Sequence, residues 1–167
     1  MNQLQEFRKQ KDQYFHRHAH SPLTAEQKAA FKGLNYFPEN PALRFELEIE
    51  EFEEQAHIQM QTSTGDLQNY TRFGKVKFQV GGENAELTLY SGEHGFFLPF
   101  VDSQAGEITY GAGRYLEPEA LPNGKLLLDF NMAYNPFCAY NENFSCPLPP
   151  AENRLSIAIQ AGEKNFK

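Results

Sequence analysis

Tryptophan is absent from this chain of 167 residues, cysteine occurs only twice, and its apolar runs are short. A membrane-spanning helix needs about 18 or more consecutive apolar residues, so the sequence predicts no such helix. Two cysteines do not make the disulfide framework of a small secreted domain, so we expect both to be thiols. The first 15 residues lack the apolar core of a signal peptide, and the expected location is therefore cytoplasmic.

Positive charge is scarce as well, because 15 Lys and Arg residues face 22 Asp and Glu residues, for a net charge of −7. Nucleic acids and anionic membranes are bound through basic surfaces. The sequence therefore predicts no nucleic-acid partner and no membrane partner. Phenylalanine is abundant, and the chain is long enough to bury a Phe-rich core as one domain over residues 1–167.

Residues 1–33 are predicted to be a helical N-terminal segment. Side chains that suit one buried helical face recur there with a period near 3.6 residues, at Leu4, Phe7, Tyr14, Phe15 and His18. Thr24 and Gln27 have the spacing of a capping box, which predicts a second, short helix beginning after Thr24. Gly33 suits the end of that helix.

From residue 42 onward the apolar period changes to two, which is typical of strands with one buried face. Alternation is clearest over residues 43–49, 57–62 and 75–80, and Gly81-Gly82 suits a tight hairpin turn. Further predicted strands follow at residues 87–89, 95–101, 107–113, 125–131 and 155–161. The pattern predicts a mainly β fold over residues 42–167, an antiparallel barrel or sandwich of roughly eight strands.

The most informative segment is residues 110–150, which holds both cysteines, six of the ten prolines and four of the eight tyrosines. Aromatic, amide, thiol and proline side chains alternate there, and such residues pack and hydrogen-bond in specific geometries. The segment is either a binding site or a structural clamp.

Three stretches carry a resemblance to a known family, namely Tyr110–Leu116 (YGAGRYL), Asp129–Tyr140 (DFNMAYNPFCAY) and Cys146–Lys164 (CPLPPAENRLSIAIQAGEK). Together with the sequences HSPL at 20–23 and GLNYFP at 33–38, they resemble the uncharacterised prokaryotic domain-of-unknown-function family 1684 over nearly the whole chain. Phe137 departs from the family motif, which has a second proline after Pro136. The resemblance implies membership of a family and no particular activity.

A candidate ligand site can be drawn from these segments. Arg114 has the fixed fork of donors that binds a carboxylate or phosphate, and nearby glycines allow close approach of a ligand. Asp129 and Asn131, two residues apart on a predicted strand, point to one side of it. The candidate ligand-binding residues are Tyr110, Arg114, Asp129, Asn131, Tyr134, Asn135, Cys138 and Tyr140. Alternatively, Arg114 pairs inside the fold with a carboxylate such as Asp129 or Glu117, and the polar residues fix a loop.

Metal chemistry is disfavoured by the spacing of the possible ligands. Cys138 and Cys146 lack the short spacing of a zinc site, and they suit packing thiols, a disulfide or, less well, a nucleophile. His16 and His20 would share a helical face, but Ser21-Pro22 ends that helix at once. We expect no bound metal.

Three functions remain in order of preference. The first is a β domain that binds a small anionic or oxygen-rich molecule. If this domain is an enzyme, Asp129 is the candidate general base. The second is a structural or protein-interaction module whose rigid loop exposes Pro147–Pro150 as a docking surface. The third is a flavin-binding split barrel, which requires more basic residues around a phosphate than Arg114 alone. The sequence identifies no cofactor, no reaction and no oligomeric state.

Overall fold

The computed structural model describes residues 2–167 and is built mainly from antiparallel strands. Two α-helices come first, α1 (Gln3–Arg17) and α2 (Ala25–Ala30). The strands are β1 (Arg44–Leu47), β2 (Glu50–Glu51), β3 (His57–Gln61), β4 (Leu67–Val80), β5 (Glu83–Gly92), β6 (Gly95–Phe100), β7 (Arg114–Leu116), β8 (Glu119–Ala120) and β9 (Leu126–Asp129). Short 3₁₀ turns occupy Pro41–Leu43, Phe130–Met132, Phe137–Ala139 and Ala151–Asn153.

The two helices begin where local sequence chemistry directs them to begin. Thr24 accepts a hydrogen bond from the Gln27 amide, and the Gln27 side chain accepts one from the Thr24 amide, so the predicted capping box is confirmed. Asn2 and Gln5 form the same reciprocal pair at the start of α1. Within residues 2–167, neither helix combines the length and the apolar character that crossing a bilayer requires.

The strands form two antiparallel sheets. In the larger sheet the order is β2-β4-β5-β6-β7, with β3 also paired to β4, and in the smaller sheet it is β1-β9-β8. The long β4 and β5 form a hairpin through Gly81-Gly82, where both glycines have positive φ as the turn requires. The prediction of a mainly β, antiparallel fold is confirmed. Over the described residues the sheets are not closed into a barrel, and the arrangement is that of a sandwich.

The main core lies between these sheets and is rich in phenylalanine and leucine, as the composition predicted. Its fully buried members come from both sheets and from the C-terminal segment, and include Leu87, Leu98, Phe100, Leu126, Leu128, Phe130 and Ile159. A second, smaller core lies under the helices, where Phe15 of α1 packs against Leu23, Leu34 and Tyr140. The Phe15 and Tyr140 rings meet edge to face at 4.9 Å.

Three of the predicted strands differ in the structure. Residues 107–113 form turns instead of a strand, and residues 155–161 run as an irregular segment against the larger sheet. The strand predicted over residues 125–131 ends at Asp129, because the Asp129 side chain accepts the Asn131 amide and begins a 3₁₀ turn. Alternating apolar residues in the C-terminal segment reflect burial there. The carbonyl groups of Ile159 and Ala161, however, are bound by the Arg114 side chain and not by a neighbouring strand.

Candidate functional site

Arg114 is a buried clamp for the C-terminal segment. Its side chain is 1% exposed and donates to the carbonyls of Ile159, Ala161 and Glu163 at 2.9, 2.5 and 3.1 Å. The carboxylate beside it is Asp102, at 3.7 Å. Burial lowers the pKa of Arg114 to about 10, a shift that Asp102 opposes, so the guanidinium stays charged at neutral pH.

Gly113 makes this clamp possible. Its φ is +99°, and a Cβ there would lie 2.6 Å from the Phe100 carbonyl oxygen. The glycine therefore allows a close approach, as expected, but the group that approaches it is the neighbouring backbone of Phe100 and not a ligand. Asp102 completes the arrangement, because its other contacts are the Thr109 hydroxyl at 2.6 Å and the Ile159 amide at 2.9 Å.

Arg114 and Asp129 do not meet. Asp129 lies on the smaller sheet opposite Arg44, with 3.9 Å between their charged atoms, and the carboxylate near Arg114 is neither Asp129 nor Glu117. Asn131 is buried and exchanges two hydrogen bonds with the backbone of Asn40, at 2.8 and 2.9 Å. Asp129 and Asn131 are brought together, but their hydrogen bonds are made within the protein and hold the turn after β9 against Asn40.

Asn135 and Tyr140 gather around a buried carboxylate. This carboxylate is that of Glu163, which is 1% exposed. In the structure it pairs with Lys11 of α1 and accepts the Tyr140 hydroxyl. The Asn135 amide approaches the same carboxylate at 3.4 Å. Burial, then the Glu163 carboxylate, raises the pKa of Tyr140, so this tyrosine remains a donor.

The two cysteines are free, buried and adjacent. The Cys138 amide donates to the Cys146 sulfur at 3.3 Å, and the Tyr110 hydroxyl lies 3.7 Å from the Cys138 sulfur. Hydrogen bonding from Cys146, and then from Tyr110, lowers the pKa of Cys138 to about 6, although burial opposes this shift. Tyr110 and Cys138 are thus brought together, with their polar atoms turned toward each other.

The end of α1 separates His16 from His20, and the proline run packs against the fold. Because α1 ends at Arg17, His20 lies outside the helix and does not share a helical face with His16. Among residues 2–167, no three His, Cys, Asp or Glu side chains form a cluster that could hold a metal ion. The segment Pro147–Pro150 is half-buried, and the Leu148 amide donates to the Gln61 carbonyl at 2.7 Å, so this run packs against the end of β3.

An open aromatic cleft of about 680 Å³ is the best candidate for a ligand site. Its floor is a chain of rings from three strands and one loop. Tyr70 stacks on Phe97 at 5.1 Å, Phe97 meets Tyr115 at 4.8 Å, and Tyr115 meets Tyr134 at 5.8 Å between ring centroids. The polar side chains that line it are Gln68, Asn69, Glu93, His94 and Glu117.

The backbone holds this row of rings in place. Tyr115 and Tyr134 exchange two main-chain hydrogen bonds, at 2.8 and 3.1 Å, which set the loop residue beside strand β7. The Tyr115 hydroxyl donates to the Pro147 carbonyl, and the Tyr134 hydroxyl donates to the Glu117 carboxylate. Burial, reinforced by Glu117, raises the pKa of Tyr134, so its hydroxyl keeps its proton near the charged acid.

Tyr134 is the one member of the sequence-derived site that lines this cleft. It also lines, with Asp129 and Glu117, a neighbouring cleft of about 470 Å³ beside α1. Sequence reasoning missed Tyr70 and Phe97. Tyr70 lies in the first part of β4, before the strand predicted over residues 75–80, and Phe97 lies in a predicted strand that was interpreted only for its buried face. Tyr115 lies in the YGAGRYL segment and Glu117 directly follows it. Their aromatic and acidic side chains were the signal in the sequence that could have placed them at a binding site.

Comparison with known proteins agrees with the fold and leaves activity open. A solution NMR structure of an uncharacterized protein from Haloarcula marismortui is similar, with 38% identity and a TM-score of 0.72, over 97% of this chain and 92% of that one. No curated protein matches the chain. The family model described as "Protein of unknown function (DUF1684)" matches residues 29–164. The chain therefore belongs to this family, DUF1684.

Proposed function

We propose that the protein binds a small, neutral, oxygen-rich molecule such as a sugar in the aromatic cleft. The observation that carries this proposal is the continuous floor of Tyr70, Phe97, Tyr115 and Tyr134 beneath a rim of amides and acids. Ligand sites are typically concave, of about 300–1,000 Å³, and combine apolar surface with a few placed polar groups. The cleft has this size and this composition.

The chemistry of the cleft favours a polyhydroxyl ligand over an anion. Ring faces pack against the apolar face of a sugar, while amide and carboxylate groups accept and donate to hydroxyls. Glu93 and Glu117 at the cleft repel an anionic ligand, and Arg114 lies buried elsewhere. Of the two ligand classes that the sequence suggested, anionic and oxygen-rich, we therefore propose only the oxygen-rich class for this cleft.

Tyrosine fluorescence provides a direct test, because the chain has no tryptophan and three of its eight tyrosines line the cleft. We expect neutral mono- and disaccharides to change this emission saturably. Tyr70→Leu removes a stacking surface and should weaken binding about tenfold, about 1.4 kcal/mol. Tyr110→Phe, which alters a tyrosine beside Cys138, is the matched control and should leave the affinity unchanged.

The same titration distinguishes ligand classes. Glu117→Gln removes a charge but keeps a hydrogen-bonding group, so sugar binding should fall only a few fold. Choline binding that is lost in Glu117→Gln, with no response to sugars, would replace the proposal by a cation site. Failure of sugars, sugar phosphates and choline alike to change the emission would refute a small-ligand site in this cleft.

A further inference from the structure

A separate groove of about 540 Å³ runs along α1 and shares no lining residue with the aromatic cleft. Four cationic side chains line it, Arg8, Lys9, Arg17 and Lys32, together with His16 and Tyr36. Residues 1–32 carry six Lys and Arg against three Asp and Glu, in a chain whose net charge is −7. Positive charge is thus concentrated in the one helical segment of an acidic protein.

Arg8 and Tyr36 form the floor of this groove. The guanidinium carbon of Arg8 lies 4.3 Å above the centre of the Tyr36 ring, and Arg8 Nη1 donates to the Phe37 carbonyl at 3.0 Å. Within residues 2–167, Arg8 Nε, Arg8 Nη2 and the Tyr36 hydroxyl are shielded from solvent and find no hydrogen-bond partner. Buried donors are almost always satisfied in folded proteins, so these three groups are available to an acceptor that enters the groove.

Acidic groups near the groove are already engaged. Asp12 lines it, but its carboxylate accepts the Leu34 amide at 3.0 Å. Glu39 accepts the side-chain amide of Asn2 at 2.8 Å. Burial lowers the pKa of Arg8, while Tyr36, Glu39 and more distant carboxylates oppose that shift. Among the described residues, therefore, no carboxylate accepts a hydrogen bond from Arg8 Nε, Arg8 Nη2 or the Tyr36 hydroxyl.

We propose that this groove binds a small phosphate-bearing molecule, with the phosphate held by Arg8 and Tyr36. The guanidinium fork matches the spacing of phosphate oxygens, and the hydroxyl adds a third direction of donation. Lys9 and Lys32 are exposed and line the same groove, where their ammonium groups neutralise the remaining charge of the ligand. His16 and Phe31, stacked at 6.0 Å, offer a flat surface at the same groove for the rest of the molecule.

Isothermal titration calorimetry with inorganic pyrophosphate at low ionic strength tests this site. The wild type should bind, and its affinity should fall as salt is added. Tyr36→Phe keeps the ring under Arg8 and removes only the hydroxyl, and it should weaken binding about tenfold. Arg8→Met should abolish detectable binding. Lys77→Met removes an exposed lysine from strand β4 and is the matched control, which should bind as the wild type does.

Two results would overturn the proposal. One is the absence of heat from the wild type at millimolar pyrophosphate. The other is equal weakening by Tyr36→Phe and Lys77→Met, which would show attraction to scattered positive charge and not a built site. If Arg8→Met fails to fold, Tyr36→Phe and Lys32→Gln decide the question, because neither side chain holds a backbone group in the described structure.

Discussion

Replacing Arg114 by Met should destabilise the protein severely. Methionine keeps much of the side-chain length and can fill the same space, but it has no donors. The carbonyls of Ile159, Ala161 and Glu163 would lose the guanidinium, and the Asp102 carboxylate would lose its neighbouring charge. Breaking a buried charged network by removing one partner costs about 3–5 kcal/mol. That is a large share of a typical total stability of about 5–15 kcal/mol.

Thermal denaturation followed by circular dichroism measures this effect. For a domain of this size, about 1 kcal/mol corresponds to about 2–4 °C, so Tm should fall by about 6–20 °C. Arg154→Met is the matched control, because Arg154 is an exposed arginine on the same C-terminal segment. It should change Tm by less than about 2 °C, since surface substitutions usually cost within about 0.5 kcal/mol.

Double substitutions identify the partner of Arg114. Asp102→Asn combined with Arg114→Met should be less harmful than the sum of the two single changes, because the residues share a network. Asp129→Asn combined with Arg114→Met should be additive, since Asp129 is paired with Arg44 on the smaller sheet. A fall in Tm of under about 2 °C for Arg114→Met would refute the clamp. Coupling to Asp129 in place of Asp102 would refute the geometry.

Other outcomes follow from the thiols and from one ion pair. Thiol titration of the freshly purified, unfolded protein should count two free groups, and a count of zero restored by reductant would establish a Cys138–Cys146 disulfide. Thiolate ultraviolet absorbance should titrate below the usual cysteine range in the native protein. Cys146→Ala should move that titration upward, because the hydrogen bond from Cys146 is the main cause of the lowered pKa of Cys138. Burial alone would raise the pKa of Glu152, but hydrogen bonds from Arg72 and Tyr90 lower it overall. The Arg72–Glu152 ion pair therefore stabilises the fold above the usual glutamate pKa, and this stabilisation is lost as pH falls through the lowered pKa of Glu152. Glu152→Gln should therefore reduce the loss of unfolding free energy on the acid side of the pH–stability profile. An unchanged acid side would contradict the role of Glu152.

The sequence predicted features that are encoded within a few residues. The capping box of Thr24 and Gln27, the turn at Gly81-Gly82 and the alternation of β1 each depend on neighbours along the chain. The fold class followed from these local patterns. Their energies do not require knowledge of distant partners, and tertiary packing reinforced them here.

The polar partners could not be predicted, because they are distant in sequence. Glu163 meets Lys11 across 152 residues, and no pattern near Gly162 distinguishes it from an exposed terminal acid. Arg114 stands out in the sequence, but several carboxylates are equally plausible partners there, and no local pattern identifies Asp102 as the one it meets. The aromatic cleft was missed because Tyr70 lies outside the predicted strands, and because the pattern of the strand that holds Phe97 reports burial and not which rings will touch.

The Arg114 clamp also has a consequence for synthesis of the protein. Its three carbonyl partners follow it by 45, 47 and 49 residues. At a ribosomal rate of about 5–20 residues per second, Arg114 is synthesised about 2–10 seconds before them. During that interval Asp102 is present, but the carbonyl acceptors are not, so the guanidinium must stay hydrated, since burying a charge without its hydrogen-bond partners is costly. Strand β7 therefore cannot dock stably on β6 at first, and the nascent chain exposes that sheet edge to chaperones or to other chains.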